Sequence, residues 1–261
     1  MNRKTEPTID DIRGVFRLLN ECCEMWADPE AWQAHLLTGV RRVLDGTIGH
    51  LHIAQPQPGS DRPNAVPLAW SGEHPRGREL YERSIAPDAE VDLPSFGEAI
   101  APVFQGGALG ITRRMSVPDE LWYQSTFYRE YVEPLGADEF ATGISAAPAV
   151  RGLLFLGGSR VHGADAIEPV KAATLAILTE ELAALIGTRL ALADQKSMAG
   201  LSPRQRETLE LLLDGLSEKQ VAAEMGVKLS TAHTYVVQLH KHFDVQSRGE
   251  LMSYFVRRQP D

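Results

Sequence analysis

The sequence predicts an α+β chain in two parts, an antiparallel sheet with helices followed by an all-α module of four helices. Three observations predict it. Apolar residues recur at helical spacing over Ile9–Ala27 and Pro29–Leu44, then give way to alternating, strand-like runs. Helical spacing returns near residue 165. Beyond residue 200, Ser-Pro and Ser-Glu starts and glycine stops follow one another closely, as in a set of short capped helices. The expected domains are 1–196 and 197–261, with a short linker at about 196–200.

In order, Ile9–Ala27 is expected to be a helix burying Ile12, Phe16, Leu19 and Cys23. Asp28 caps a second helix with Pro29 in its first turn; it buries Trp32, Leu36, Val40 and Leu44 and stops at Gly46. Thr47–Ala54 reads as a strand with Ile48, His50 and His52 on one face. Gln55–Asn64, with three prolines, reads as a loop. Ala65–Trp70 reads as a second strand and Arg76–Ile85 as a short helix. Ile100–Thr112, uncharged and glycine-rich, is strand or loop. Asp119–Val132 reads as one aromatic amphipathic helix. Thr142–Ala149 and Gly152–Gly157 read as the last strands of a meandering sheet. Asp165 to about Gln195 reads as a long helix with a stripe of Leu175, Leu178, Leu182, Leu185, Ile186 and Leu190.

Composition excludes several classes. With 43% hydrophobic and 23% charged residues in 261, the chain is neither disordered nor fibrous. Cys22 and Cys23 are adjacent and cannot staple distant segments. Ala172–Ala193 carries Glu180, Glu181 and Arg189, a poor membrane span, and the charged first ten residues do not read as a secretory signal. A cytoplasmic protein with no membrane partner is expected. The net charge of −9 argues against nucleic acid, but it is unevenly placed. Residues 201–258 hold eight basic and seven acidic side chains, against eighteen and twenty-seven in residues 1–200. The C-terminal part can therefore still meet phosphates.

That part opens with Ser202-Pro203-Arg204-Gln205, a capping box, and Leu209, Leu212 and Leu213 supply its buried face up to Gly215. Ser217-Glu218-Lys219-Gln220 is a second capping box, with Val221, Ala222 and Met225 inward and Gly226 as the stop. A third helix runs from near Ser230 to Phe243, burying Val236, Leu239 and Phe243. Ser247 caps a fourth helix, to Arg258, carrying Leu251, Met252 and Phe255. Two short helices, a glycine turn and a longer helix make a helix-turn-helix. The third helix shows the polar outer face that a groove-reading helix needs: Thr231, His233, Thr234, Gln238 and Lys241, with Tyr235 beside them.

These residues, over about 58 positions, resemble the LuxR-type DNA-binding domain. Leu201-Ser-Pro-Arg-Gln-Arg-Glu-Thr-Leu and Gly215-Leu-Ser-Glu-Lys-Gln-Val-Ala222 follow its L-T-x-R-E-x-E-V-L and G-x-S-N-K-E-I-A. Met225-Gly-Val227, Thr231-Ala-His-Thr-Tyr-Val236 and Phe243-Asp-Val-Gln-Ser-Arg248 follow its L-G-I, T-V-K-x-H-V and L-x-V-x-S-R. The chain departs from the pattern at Lys228, Ala232, His233 and Tyr235, and Ser230 is expected to cap the helix in place of residue 228. The resemblance implies a transcriptional regulator that binds double-stranded DNA, is not an enzyme, works as a homodimer and has an opening for contact with RNA polymerase. By position it implies that Thr231, Tyr235, Lys241 and Lys219 meet phosphates and that His233, Thr234 and Val237 face base edges, with Ser217 and Gln238 in the same DNA-binding set. The plainer alternatives are that Val237 is packing and Lys219 merely solvated.

Two helices, a sheet, a cross-helix and a closing helix before such a module resemble a GAF/PAS-like sensor domain, or an autoinducer-binding one. The aromatic run Trp122, Tyr123, Phe127, Tyr128 and Tyr131 is then the candidate effector pocket. The preferred reading is plainer: Trp122, Phe127 and Tyr131 are core residues of an amphipathic helix. A ligand-free dimerisation scaffold and an enzymatic domain stay open as alternatives, the scaffold implying a core with no cavity. The dimer is expected to form mainly through the N-terminal domain, with the Leu175–Leu190 stripe as a candidate surface, and to be completed by the fourth helices. No cofactor is expected, and no metal: His50 and His52 lack a completing carboxylate or cysteine pattern.

Overall fold

Helix α1 (Ile9–Glu24) begins where Thr8 and Asp11 bond reciprocally, each side chain accepting from the other's backbone N–H. It is the first element of a computed structural model that describes residues 6–26, 28–56, 63–90, 103, 106–192, 201–243 and 245–256. The chain divides into two units, Met1–Leu190 and Ala191–Asp261. The expected linker and the side chain of Phe255 lie outside the described residues.

Helix α1 buries Val15, Leu18, Leu19 and Cys22, not the expected stripe of Ile12, Phe16, Leu19 and Cys23. Phe16 is 47% exposed. The neighbouring stripe turns inward because α2 (Pro29–Leu44) offers it a notch at Gly39, where a Cβ would lie 2.4 Å from Leu18 Cδ2. Helix α2 is as expected: the Asp28 carboxylate accepts from Ala31 N–H, and Trp32, Leu36, Val40 and Leu44 are buried.

The sheet comprises β1 (Ile48–Gln55), β2 (Asn64–Ser71), β3 (Ala108–Thr112), β4 (Ala137–Ala147) and β5 (Gly152–Val161). Their order is β2-β1-β5-β4-β3, and every neighbouring pair is antiparallel. It is not a meander, since β1 and β5 meet in the middle. The strands β4 and β5 are longer than the expected 142–149 and 152–157, and the turn between them uses Arg151 at φ 53°.

Helix α6 (Pro169–Leu185) packs on β3 and β4. Two glycines make the close approach possible. A Cβ at Gly110 would lie 1.9 Å from the Ala172 carbonyl oxygen, and one at Gly143 would lie 2.4 Å from that of Leu175. The helix is shorter than the expected 165–195. It stops at Leu185, and Gly187 at φ 76° reverses the chain, so that Leu190 N–H donates to Leu185 O. Leu175, Leu178 and Leu182 are fully buried in the unit's own core.

The opposite face of the sheet is met by α3 (Gly77–Ser84) and by the segment 113–135. That segment is not one helix. It holds the short turns α4 (Arg113–Ser116) and α5 (Asp119–Trp122) and a wide π-type turn at Tyr128–Val132. The break is at Ser125, whose hydroxyl donates to Trp122 O and accepts from Tyr128 N–H. A serine side chain here competes with the backbone for the helical bonds.

In the second unit, α7 (Pro203–Leu213) and α8 (Glu218–Glu224) start at the expected capping boxes of Ser202 and Ser217. They end at Gly215 and Gly226, φ 92° and 65°. Thr208 is buried beside Leu209 and Leu212, while Leu213 is half-buried. Helix α9 (Leu229–Phe243) starts one residue before Ser230: Lys228 O accepts from Thr231 and Ala232 N–H. Ser230 therefore sits in the first turn and is not the cap. Helix α10 (Arg248–Val256) follows Ser247, whose hydroxyl accepts from Glu250 N–H.

Candidate nucleic-acid interface and candidate ligand cavity

Helix α9 has two sides. Ala232, Val236, Leu239 and Phe243, at helical spacing, are buried against the module. On the other side His233, Thr234, Val237, Gln238 and Lys241 are exposed, with Thr231 and Tyr235 half-buried. Val237 is 50% exposed. Ser217 and Lys219, at the start of α8, are exposed as well.

Several of these side chains are held in place from below. His233 Nδ1 donates to Glu218 Oε2 at 3.0 Å, and Gln205 Nε2 donates to Gln238 Oε1 at 2.8 Å. The Thr234 hydroxyl donates to Ser230 O, which leaves its oxygen free to accept. Lys219 and Lys241 form no ion pair with a described residue. Sequence reasoning gave Gln205 a capping role alone and gave Arg248 none. Arg248 donates to Leu216 O at 2.7 Å and Leu212 O at 3.3 Å, tying α10 to the end of α7. Its place in the family pattern is thereby explained as structural.

Residues 199–255 match the family described as bacterial regulatory proteins, luxR family (GerE). This segment is a LuxR-family domain. Over 59 residues the chain is 29% identical to the probable transcriptional regulator ycf29 of Guillardia theta. The match covers 23% of this chain and spans only 28% of that relative's length. Among solved structures, Escherichia coli SdiA is similar over 92% of this chain and 94% of its own, with 17% identity and a TM-score of 0.40. SdiA in complex with octanoyl-rac-glycerol is similar over 96% of both chains, with 16% identity and a TM-score of 0.43.

The first unit encloses a cavity of about 340 Å³ between the sheet and the segment 113–135. Of the five aromatics singled out from sequence, Trp122, Phe127 and Tyr131 line it. Tyr123 and Tyr128 are not among its walls. Their hydroxyls are engaged elsewhere, Tyr123 donating to Asp138 Oδ2 at 2.8 Å and Tyr128 lying 3.3 Å from His162 Nδ1. Burial and the Asp138 bond push the Tyr123 phenol up to about 12. Trp122 Nε1 donates to the other Asp138 oxygen at 3.0 Å, which fixes the indole while its ring faces the cavity.

Beneath this segment lies a buried ionic cluster that the sequence does not reveal. Arg113, fully buried, bonds Asp119 and Glu139, the latter at 2.6 Å, and Arg114 Nε reaches the same Glu139 oxygen at 2.7 Å. The Arg113 hydrogen bond holds the Asp119 carboxyl below its usual range. A buried pair of this kind fixes geometry more than it adds stability.

The remaining walls include His50, His52, Trp70 and Tyr81, which sequence reasoning did not assign to a pocket. Alternation along β1 had placed Ile48, His50 and His52 on one face, but not shown that a cavity lay over it. His52 Nδ1 and Tyr81 OH are 2.8 Å apart. Burial lowers His50 to about 4 and His52 to about 3, so both are neutral at neutral pH. No group of three or more histidine, cysteine or carboxylate residues placed to hold a metal occurs among the described residues.

Proposed function

We propose that the chain is a DNA-binding transcriptional regulator whose N-terminal unit senses a small molecule. The observation that carries the reading is the exposed polar face of α9 on a LuxR-family domain. A helix of this kind enters the major groove while its partner helix braces the phosphates. On this reading Thr231, Tyr235, Lys219 and Lys241 contact phosphates, and His233, Thr234, Val237 and Gln238 face base edges. Ser217 lies at the N-terminus of α8, a place suited to a phosphate. The test is selection from random duplex DNA by the full-length protein: one enriched motif is expected, and no enrichment overturns the reading.

The cavity supports sensing over a ligand-free scaffold, which would fill its core. At about 340 Å³ it falls in the range of small-molecule pockets. Its described walls are mainly apolar and aromatic, as small-molecule pockets are. The domains are taken as 1–196 and 197–261. A homodimer matching paired half-sites, contact with RNA polymerase and a cytoplasmic location belong to the same reading. No described helix is long and apolar enough to cross a membrane. A ligand that binds one arrangement of the N-terminal unit better than another would shift its population, and with it the pairing of DNA-binding domains. Native mass spectrometry of the purified protein tests for a retained small molecule.

A further inference from the structure

The cavity floor is one face of the sheet, and the strand register lays out its rows. One row runs Trp70, His50, Gly157, Thr142, Ile111 across all five strands. In its middle Gly157 carries no side chain. A methyl group there would have no room, lying 2.5 Å from the Ala141 carbonyl oxygen, 2.8 Å from Thr142 Oγ1 and 2.9 Å from His50 Nε2. Two polar side-chain atoms from the strands on either side thus flank Gly157, and with no side chain between them they mark one spot on the cavity floor. Neither the His50 ring nor the Thr142 hydroxyl has a hydrogen-bond partner among the described residues, and both line the cavity. His52, two residues along β1, differs, because it is already bonded to Tyr81. Around the spot the floor is apolar, with Ile48, Phe140, Ile144 and Phe155.

We propose that this spot is the polar subsite of the cavity, where a carbonyl or hydroxyl oxygen of an otherwise apolar, uncharged ligand sits over Gly157, bonded by His50 and Thr142. The proposal rests on the reading that the cavity binds a small molecule. An imidazole N–H and a hydroxyl can both donate to one oxygen, which has two lone pairs to receive them. Both groups line the cavity with hydrogen-bonding capacity unused, and a ligand oxygen would satisfy both. A carboxylate would fit poorly. No lysine or arginine lines the cavity, and burial keeps His50 and His52 neutral, so the anion would be desolvated without a counter-charge.

Trp70 and Trp122 stand in the walls and serve as reporters. The full-length protein is titrated at neutral pH with methyl octyl ketone, decanoate and decane, reading tryptophan fluorescence and thermal shift. The ketone is expected to bind roughly tenfold more tightly than decanoate. His50→Phe and Thr142→Val are each expected to weaken the ketone by up to roughly tenfold, the contribution of one hydrogen bond, and to leave decane unchanged. Thr142→Val nearly conserves shape, so a folding defect in His50→Phe would not remove the test. Variants that bind the ketone like wild type, or lose ketone and decane alike, overturn this subsite alone. Failure of all three probes to bind overturns the cavity reading and the subsite together.

Discussion

Burial sets the charge state of the two histidines on β1, and this has a measurable consequence. In the unfolded chain both titrate near 6.5, but in the folded protein only near about 4 and about 3. Between those limits the unfolded state binds more protons, so the histidines' contribution to the unfolding free energy falls as pH drops below about 6.5 and is level above it. Each pH unit in that window costs at most about 1.4 kcal/mol per histidine. Thermal melts followed by circular dichroism should show the decline, and His50→Phe should flatten part of it; an unchanged slope contradicts the assignment. On α9, two residues should fail differently. His233→Ala should change the preferred base at one position, by about 1–3 kcal/mol if the contact is direct. Lys241→Ala should weaken all sequences about equally and reduce the salt slope by about one. Quantitative binding to a panel of single-base variants separates the two, and equal losses across the panel for His233→Ala would remove its base-reading role.

At the scale of elements, caps and glycine stops were legible because their chemistry is local. Asp28, Ser202, Ser217, Gly215 and Gly226 stand where their residue types predicted. Which stripe of a helix turns inward was less legible, as α1 shows, since the notch at Gly39 belongs to another helix. The same holds for Gly143, whose missing side chain has meaning only once α6 lies over it. Gly143→Ala would place a methyl group 2.2 Å from Thr179 Oγ1 and 2.4 Å from the Leu175 carbonyl oxygen. A backbone atom cannot rotate aside, so the helix must shift, at a cost of about 1–3 kcal/mol. Gly14→Ala is the control. It lies on α1 with nothing within 4 Å of the new methyl, and should be neutral to stabilising by up to about 1 kcal/mol. Urea midpoints for the two variants should move in opposite directions or differ by that sum.

For the whole molecule, the expected dimer surface must be revised. Leu182 of the apolar stripe is fully buried in its own unit, so Leu182→Asp should unfold that unit and not merely separate protomers. Circular dichroism together with sedimentation distinguishes the outcomes; a folded monomeric variant would restore the stripe as an interface. The proposed homodimer should bind paired half-sites about 34 Å apart, or a multiple of that, more tightly than a single one. Affinity should fall steeply with salt, by a slope of about 0.9 per phosphate contact. Salt titration on one-site and two-site duplexes measures both, and equal affinity for the two duplexes would remove the dimer.

The sequence alone determined the helical C-terminal module, because α7, α8 and α10 start at serines that cap them locally and α9 is amphipathic along its length. It also determined α2 and the alternation of β1, which are likewise local patterns. Only the tertiary structure decided the strand order, the break at Ser125, the end of α6 and the walls of the cavity. Those depend on contacts between residues far apart in sequence: β1 pairs with β5, Arg113 with Glu139, and His52 with Tyr81. A periodic pattern records which residues share a face, but it carries no information about what that face will meet.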